Sequence, residues 1–323
     1  MIAESQRASH APGLLEDMVN WPDFLVIGAG KAGTTALNHR LAVHPQLFMS
    51  PVKEPNFFAL EGMEVPQRDD SPEQTRHYPW AVTERHAYQA LFCEAEPEQR
   101  KGEVSPMYLY SEAACEKIAA YAPGMKLIAV LRQPAERLYS RYLHLARENR
   151  APQGGLEGAF DRQSIWWRRD DLVAEGFYGR YLQRYFDRFP REQILVLFYE
   201  DLQRQPEKVL EQIAAFLEIA PHFPEVSVKE HNVSGLIRRR WLDRLIGQQS
   251  ALKSAVDKLA PVLIERLRQN ERAQTWLHRM RKHNLERPAL NATLKQRITR
   301  ELYREDLELL EAVLGRSLQH WKS

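Results

Sequence analysis

The feature that most constrains this chain is a short apolar run that ends in a glycine-rich loop, residues 23–35, DFLVIGAGKAGTT. The apolar run at 24–27 is typical of a buried parallel strand. Thr34 begins a helical pattern that ends at His44-Pro45. A strand, a glycine loop and a helix in this order direct backbone N–H groups and the positive helix end towards an anion, most often a phosphate.

The spacing of the loop separates two classes of phosphate site. Gly28 and Gly33 are spaced as in the Walker motif GxxxxGK[ST], but Thr34 stands where that motif has its lysine, and the basic residue is Lys31, inside the loop. A magnesium-dependent kinase or ATPase needs that lysine and an acidic metal partner. Neither is evident in the sequence, and a P-loop small-molecule kinase is kept as the alternative interpretation.

The segment KAGTT resembles the 5′-phosphosulfate loop of sulfotransferases that use 3′-phosphoadenosine 5′-phosphosulfate (PAPS). The resemblance implies an α/β fold, a three-layer P-loop-NTPase-like sandwich with a central parallel sheet flanked by helices and a helical C-terminal extension. It also implies that Lys31, Ala32, Gly33, Thr34 and Thr35 bind the donor, with Lys31 stabilising the leaving phosphate. No metal is expected as a cofactor.

The second motif of this resemblance is KEPNFF, which begins at Lys53. Its two prolines place it in a loop rather than a helix or central strand. In glycosaminoglycan-type and many bacterial sulfotransferases the matching glutamate is the proposed catalytic base, so Glu54 is the expected base here, assisted by Lys53. A solvated Lys–Glu pair is the structural alternative, and His77 and His86 are the alternative bases.

Two further motifs belong to the nucleotide end of the donor. LRQPAERLYSRY resembles the family's 3′-phosphate motif, which assigns Arg132 and Ser140 to that phosphate, although Arg132 alone also fits a strand-end ion pair. YEDL places Tyr199 near the adenine. Arg238 and Arg239 follow a polar turn that fits either a basic loop over the 3′-phosphate or a solvated helix start.

Patterning predicts the remaining elements. Strands are expected at 47–49, within 101–108, at 126–131 and at 193–198, and helices at 83–95, 111–121 and 206–217. The domain prediction is a flexible N-terminal arm at 1–20 and a single domain at 21–323. Within that domain we expect an insertion near the acceptor site at 149–175, a possible lid at 61–82, and a helical C-terminal part at 241–323.

Composition limits the classes of partner and compartment. The 45 basic and 43 acidic residues give a net charge of +2, which is no footprint for nucleic acid. No apolar run approaches the ~20 residues needed to span a bilayer, and residues 1–20 lack an apolar signal core. Two cysteines without metal spacing favour a reducing compartment. We therefore expect a cytoplasmic protein without a membrane span.

The acceptor is the least constrained part of the prediction. A small-molecule, lipid or saccharide acceptor is expected. Val104 stands where glycosaminoglycan-type members usually carry a lysine, which weakens a polyanionic sugar chain as the acceptor. The pair Trp166-Trp167 fits packing or ligand stacking. A non-catalytic scaffold that binds the product PAP is a third possibility, and the sequence does not indicate an oligomeric state.

Overall fold

A central parallel sheet organises the molecule. The computed structural model describes residues 20–64, 78–148, 150–224, 236–237, 285–286 and 288–322. The sheet has the strand order β2-β3-β1-β4-β5, and every neighbouring pair is parallel. Its strands are β1 (Phe24–Gly28), β2 (Leu47–Met49), β3 (Arg100–Val104), β4 (Lys126–Leu131) and β5 (Ile194–Phe198). A separate antiparallel pair joins β6 (Leu236–Ile237) to β7 (Leu285–Glu286).

The central strand of the sheet is buried along its whole length. All five residues of β1 are buried, and Phe24 is paired with Gly102 of β3 on one side and Lys126 of β4 on the other. A Cβ at Gly102 would overlap the Phe24 ring, so this position of β3 requires glycine. A continuous apolar run is what a strand covered on both faces needs.

Helices flank the sheet, as the sequence predicted. They are α1 (Thr34–Leu41), α2 (Phe57–Leu60), α3 (Arg85–Ala90), α4 (Met107–Tyr110), α5 (Glu112–Tyr121), α6 (Pro134–Arg147), α7 (Ile165–Arg168), α8 (Tyr178–Phe186), α9 (Tyr199–Arg204), α10 (Pro206–Leu217), α11 (Ala292–Ile298), α12 (Arg304–Leu314) and α13 (Gln319–Lys322). Short 3-10 turns lie at Gly155–Phe160, Ala174–Gly176 and Arg191–Gln193, and a π-helical turn at Thr299–Tyr303 joins α11 to α12.

The order of the strands determines where a site can form. The chain leaves β1 towards β2 on one side, and it leaves β4 towards β5 on the other side. The loops after β1 and β4 therefore diverge and leave a crevice at the carboxyl edge of the sheet, which is where open α/β sheets bind ligands. The glycine-rich loop and Arg132 both lie at this crevice.

The C-terminal helices are attached to the sheet domain by buried polar contacts. The Asp306 carboxylate accepts hydrogen bonds from the Gly179 and Arg180 N–H groups at 2.8 and 3.1 Å, at the start of α8. Gln133 Nε2 donates to Thr299 Oγ1 at 2.8 Å, and Trp321 is fully buried. Residues 292–322 are helical in the main, and most of the predicted C-terminal part before them lies outside the described residues.

The structure bears on three local predictions. The helix predicted at 83–95 is confined to Arg85–Ala90, because Pro97 follows and the chain between them closes i→i+3 turns. Asn20, assigned to the flexible arm, is held by Lys101 Nζ at 2.7 Å, and the rest of that arm lies outside the described residues. Trp166 is buried, which supports packing rather than ligand stacking.

Candidate active site

A cavity of about 1080 Å³ lies at the carboxyl edge of the sheet. Its lining comes from the segments that follow all five strands of the sheet, together with residues 288–295 of the C-terminal part. Ligand pockets in proteins commonly have volumes of ~300–1,000 Å³. The cavity is therefore large enough to hold a nucleotide together with part of a second substrate.

The loop between β1 and α1 forms one wall of the cavity. Gly33 has a φ of +86°, and a Cβ there would lie 3.0 Å from the Tyr199 ring, so both backbone conformation and space favour glycine. Thr34 and Thr35 form the first turn of α1 and also line the cavity. Because the residue before the helix has no side chain to cap it, the first N–H groups of α1 are left for a ligand.

Ala32 requires a correction. It was predicted to contact the cofactor along with its neighbours in the loop. In the structure it is fully buried, it does not line the cavity, and its N–H donates to the Ala29 carbonyl at 3.2 Å. Its N–H therefore takes part in the turn that closes the loop.

Lys31 is held in the left-handed region, with a φ of +67°, and lines the cavity. Burial is the main cause that lowers its pKa from 10.5 to about 7; the nearby guanidinium groups of Arg141, Arg147 and Arg132 contribute to this shift, and Glu54 opposes it. The positive charges around this loop disfavour the charged form of the Lys31 ammonium group. A multivalent anion bound at the loop would balance these charges.

Arg132 extends from the end of β4 towards the same loop. Its Nη1 donates to the Lys31 carbonyl at 3.2 Å, and its guanidinium carbon lies 4.7 Å from the centre of the Tyr199 ring. Its Nε is buried without a hydrogen-bond partner among the described residues. Ser140, two turns along α6, is buried and lines the cavity with Arg132 and Tyr199. The arginine thus has donor capacity left for an anion.

The KEPNFF loop brings a lysine and a carboxylate together at the cavity wall. Lys53 Nζ lies 3.2 Å from Glu54 Oε1, and both residues line the cavity. Glu54 and Asn56 adopt positive φ values of +55° and +54°. The Asn56 N–H donates to Ser105 Oγ at 3.1 Å, which ties this loop to the end of β3.

A buried carboxyl lies beneath that loop. Ser105 Oγ donates to Glu103 Oε2 at 2.8 Å, and Tyr88 OH donates to Glu103 Oε1 at 3.2 Å. Burial raises the pKa of Glu103 to about 7, although hydrogen bonds from Tyr108, Ser105 and Tyr88 oppose the shift. The chain Glu103–Ser105–Asn56 therefore fixes the backbone two residues after Glu54.

Sequence reasoning missed the ion-pair cluster that supports the glycine loop. Glu175 Oε1 accepts the Gly30 N–H at 2.6 Å, and its Oε2 lies 2.8 Å from Arg137 Nη1 and 3.4 Å from Arg141 Nη2. Arg137 and Glu175 are essentially fully buried, and Arg137 also donates to the Asp171 and Leu172 carbonyls. Burial alone would lower the pKa of Arg137, but the charge of Glu175 outweighs it, so the pKa is raised.

His144 is a neutral member of the cavity wall. Burial and the neighbouring Lys31, Arg141 and Arg147 lower its pKa to about 2. Its Nδ1 lies 3.2 Å from Arg147 Nη2. A pKa this low leaves the ring a hydrogen-bonding group and a poor general base at neutral pH.

Apart from Ala32, the predicted site residues divide into three groups. Nine line the cavity together: Lys31, Gly33, Thr34, Thr35, Lys53, Glu54, Arg132, Ser140 and Tyr199. Arg238, Arg239 and the alternative base His77 lie outside the described residues. The other alternative base, His86, is an exposed residue of α3 that does not line the cavity.

Two kinds of feature are absent from the described residues. Over these ranges no group of three or more His, Cys, Asp or Glu side chains is arranged to hold a metal ion. Within the same part of the chain, no helix is both long and apolar enough to cross a membrane.

The chain is similar to known proteins over its first two thirds. Residues 22–225 match the model described as "Sulfotransferase family". The mouse bifunctional heparan sulfate N-deacetylase/N-sulfotransferase 3 is 26% identical over 215 residues, covering 62% of this chain and 23% of the mouse protein. Human carbohydrate sulfotransferase 15 is 25% identical over 260 residues, covering 66% of this chain and 46% of the human protein. The chain thus spans less than half the length of either relative.

A solved structure extends the similarity to the fold. The crystal structure of a sulfotransferase from Alicyclobacillus acidocaldarius aligns with a TM-score of 0.67 at 24% identity, covering 94% of this chain and 100% of that one. At this identity the alignment establishes the shared fold.

Proposed function

The chain belongs to the sulfotransferase family, and we propose that it transfers a sulfuryl group from PAPS to a hydroxyl or amine of an acceptor. The observation that carries the proposal is the meeting of two phosphate-type motifs at one cavity. Lys31 follows β1 and Arg132 follows β4, and Arg132 Nη1 donates to the Lys31 carbonyl at 3.2 Å. Two anion-binding elements this close suit a ligand with phosphates at both ends of a nucleoside.

The side chains present fit the donor. Gly33, Thr34 and Thr35 offer the helix N-terminus and two hydroxyls to the 5′-phosphosulfate. Arg132 and Ser140 are assigned to the 3′-phosphate, since a buried Nε without a partner gives Arg132 unused donor capacity. The donor supplies an activated sulfur whose bond to the 5′-phosphate oxygen breaks during transfer.

Glu54 is proposed as the general base. It lines the cavity with Lys31, and Asn56 and Ser105 hold its loop in place. Its carboxylate takes the proton of the acceptor while the acceptor oxygen or nitrogen bonds to sulfur, and PAP leaves with the electron pair of the broken S–O bond. Lys31 stabilises the charge that grows on the leaving oxygen, and Lys53 assists from the side of Glu54.

The acceptor is proposed as a small molecule, lipid or saccharide. The cavity volume supports an acceptor site beside the donor. Saccharides are included among the proposed acceptors because the names of the two relatives refer to heparan sulfate and to carbohydrate. Lys53, Arg141 and Arg147 add positive charge to the cavity lining, which suits an acceptor with anionic or polar groups. A cytoplasmic location is also proposed, on the cysteine usage of the sequence.

The kinase alternative has less support from the geometry. Thr34 lies at the first turn of α1, where a Walker loop needs lysine, and Lys31 occupies a loop position with a φ of +67° instead. The scaffold alternative differs from the enzyme only in turnover, so an experiment has to separate the two.

Turnover of sulfur-labelled PAPS tests the proposal, with a panel of hydroxyl- and amine-bearing small molecules, glycolipids and oligosaccharides as acceptors. We expect a labelled product, and we expect Glu54→Gln to lower kcat by about 100-fold or more while PAP affinity stays within about threefold. The matched control is Glu148→Gln, which neutralises another carboxylate of the cavity wall and should retain turnover. PAP binding with no labelled product from any acceptor would support the scaffold instead.

A further inference from the structure

The C-terminal part contributes a lysine to the donor end of the cavity. Lys295 lies on α11, lines the cavity, and its Nζ is 2.8 Å from Glu136 Oε1 on α6. The other oxygen of the same carboxylate, Oε2, lies 3.5 Å from Arg132 Nη2. A lysine and an arginine separated by more than 160 residues of chain therefore converge on one carboxylate.

This convergence is built by several contacts rather than by one ion pair. Tyr139 OH donates to the Pro288 carbonyl at 2.9 Å, which fixes the segment before α11 against α6. Gln133 Nε2 donates to Thr299 Oγ1 just after α11, and Gln133 Oε1 accepts the Glu136 N–H at 2.8 Å. The same glutamine thus positions both the carboxylate and the helix that carries Lys295.

We propose that Lys295, with Arg132, reads the 3′-phosphate of the donor, and that Glu136 is the carboxylate that competes with this phosphate for both cations. This inference rests on the proposed PAPS-dependent function. A carboxylate with one cation on each oxygen marks a position where two positive charges converge. A phosphate has the same capacity to accept from both and carries more charge.

The partial exposure of this ion pair favours binding over a purely structural role. The Lys295 and Glu136 side chains are 27% and 36% exposed, and ion pairs this accessible contribute little to folding. Burial alone would raise the pKa of Glu136, but Lys295 and Arg132 outweigh it and lower this pKa. The Glu136 carboxylate is therefore charged at neutral pH. The donor must therefore overcome a negative charge at this point, and Lys295 offsets it.

Binding of PAP and of adenosine 5′-monophosphate, which lacks the 3′-phosphate, tests the proposal by calorimetry on the full chain. We expect Lys295→Gln to weaken PAP binding about tenfold, the size of a charge-assisted hydrogen bond, and to leave 5′-monophosphate binding within about twofold. Glu136→Gln should tighten PAP binding several-fold without changing the other ligand. Arg297→Gln is the matched control, because Arg297 lies on the same helix and does not line the cavity.

The outcomes separate this inference from the proposed function. If wild-type protein prefers PAP and Lys295→Gln keeps that preference, Lys295 does not read the 3′-phosphate. Equal weakening of both ligands in Lys295→Gln would assign the lysine a general role in the wall and overturn the proposal. Wild-type protein that binds the two nucleotides equally would overturn both this inference and the proposed donor.

Discussion

The most informative perturbation is a change of pH across the range in which Lys31 loses its proton. Its pKa of about 7, lowered from 10.5, corresponds to about 5 kcal/mol against the charged form. Burial is the largest cause, and three guanidinium groups add to it. A bound 5′-phosphate introduces negative charge at the same point, so the pKa of Lys31 must rise when the nucleotide binds.

The sign of the resulting pH dependence follows from linkage. At pH 5.5 Lys31 is charged in both the free and the nucleotide-bound protein. Binding then takes up no proton at this residue, so Lys31 gives the affinity no pH dependence there. Above pH 7 the free protein loses this proton and binding restores it, so affinity falls by up to tenfold per pH unit. At pH 8 binding should take up about 0.9 proton, and at pH 7 about half a proton.

Calorimetry of PAP binding in HEPES and in Tris measures this uptake, because the two buffers differ in ionisation enthalpy. The phosphates of PAP have second pKa values of ~6 and contribute little at pH 8. Lys31→Arg is the matched control, since arginine keeps its charge throughout this range, and we expect no uptake from it at pH 8. An equal heat of binding in both buffers for the wild type at pH 8, or the same uptake in Lys31→Arg, would refute the reasoning.

Two further predictions concern buried carboxyl groups and use denaturant unfolding. Burial raises the pKa of Glu103 to about 7 in the folded protein, so between pH 5 and 7 the folded state keeps a proton that the unfolded state has released. Raising the pH from 5 to 8 should therefore lower the free energy of unfolding by about 3 kcal/mol. Glu103→Gln should lack this loss, and an unchanged dependence of stability on pH in that variant would contradict the reasoning. Glu175→Gln should lower the free energy of unfolding by about 3 kcal/mol or more, because it leaves Arg137 buried without its counter-charge. The control Glu157→Gln, at an exposed carboxylate, should change it by less than about 0.5 kcal/mol. Equal effects of the two substitutions would show that the buried pair has no special role.

Sequence reasoning succeeded where the determinants of structure are local. The parallel sheet, the glycine loop and the strand-end position of Arg132 follow from apolar runs and glycine spacing within a few residues of each other. Four motifs in order also identify which loops meet, because loops after parallel strands share one edge of the sheet. Lys31, Glu54 and Arg132 lie at one cavity for this reason.

The residues that sequence reasoning missed reach the site through tertiary packing. Glu175 lies on a short 3-10 turn with no motif around it, yet it accepts the Gly30 N–H across 145 residues of chain. Lys295 reaches α6 because Gln133 and Asp306 attach the C-terminal helices to the sheet domain. Nothing in the periodicity of either segment indicates its distant partner. The resemblance that assigns Ala32 to the donor likewise does not reveal the turn in which the Ala32 N–H takes part.

The central claim is that this cavity reads a nucleotide by its 3′-phosphate and needs no magnesium to do so. Calorimetric binding of PAP and of ADP in the absence of magnesium, for the wild type and for Arg132→Ala, tests it most directly. We expect micromolar affinity for PAP, far weaker affinity for ADP, and loss of the difference in Arg132→Ala. Equal binding of ADP by the wild type, or nucleotide binding that requires magnesium, would contradict the account and favour the kinase interpretation.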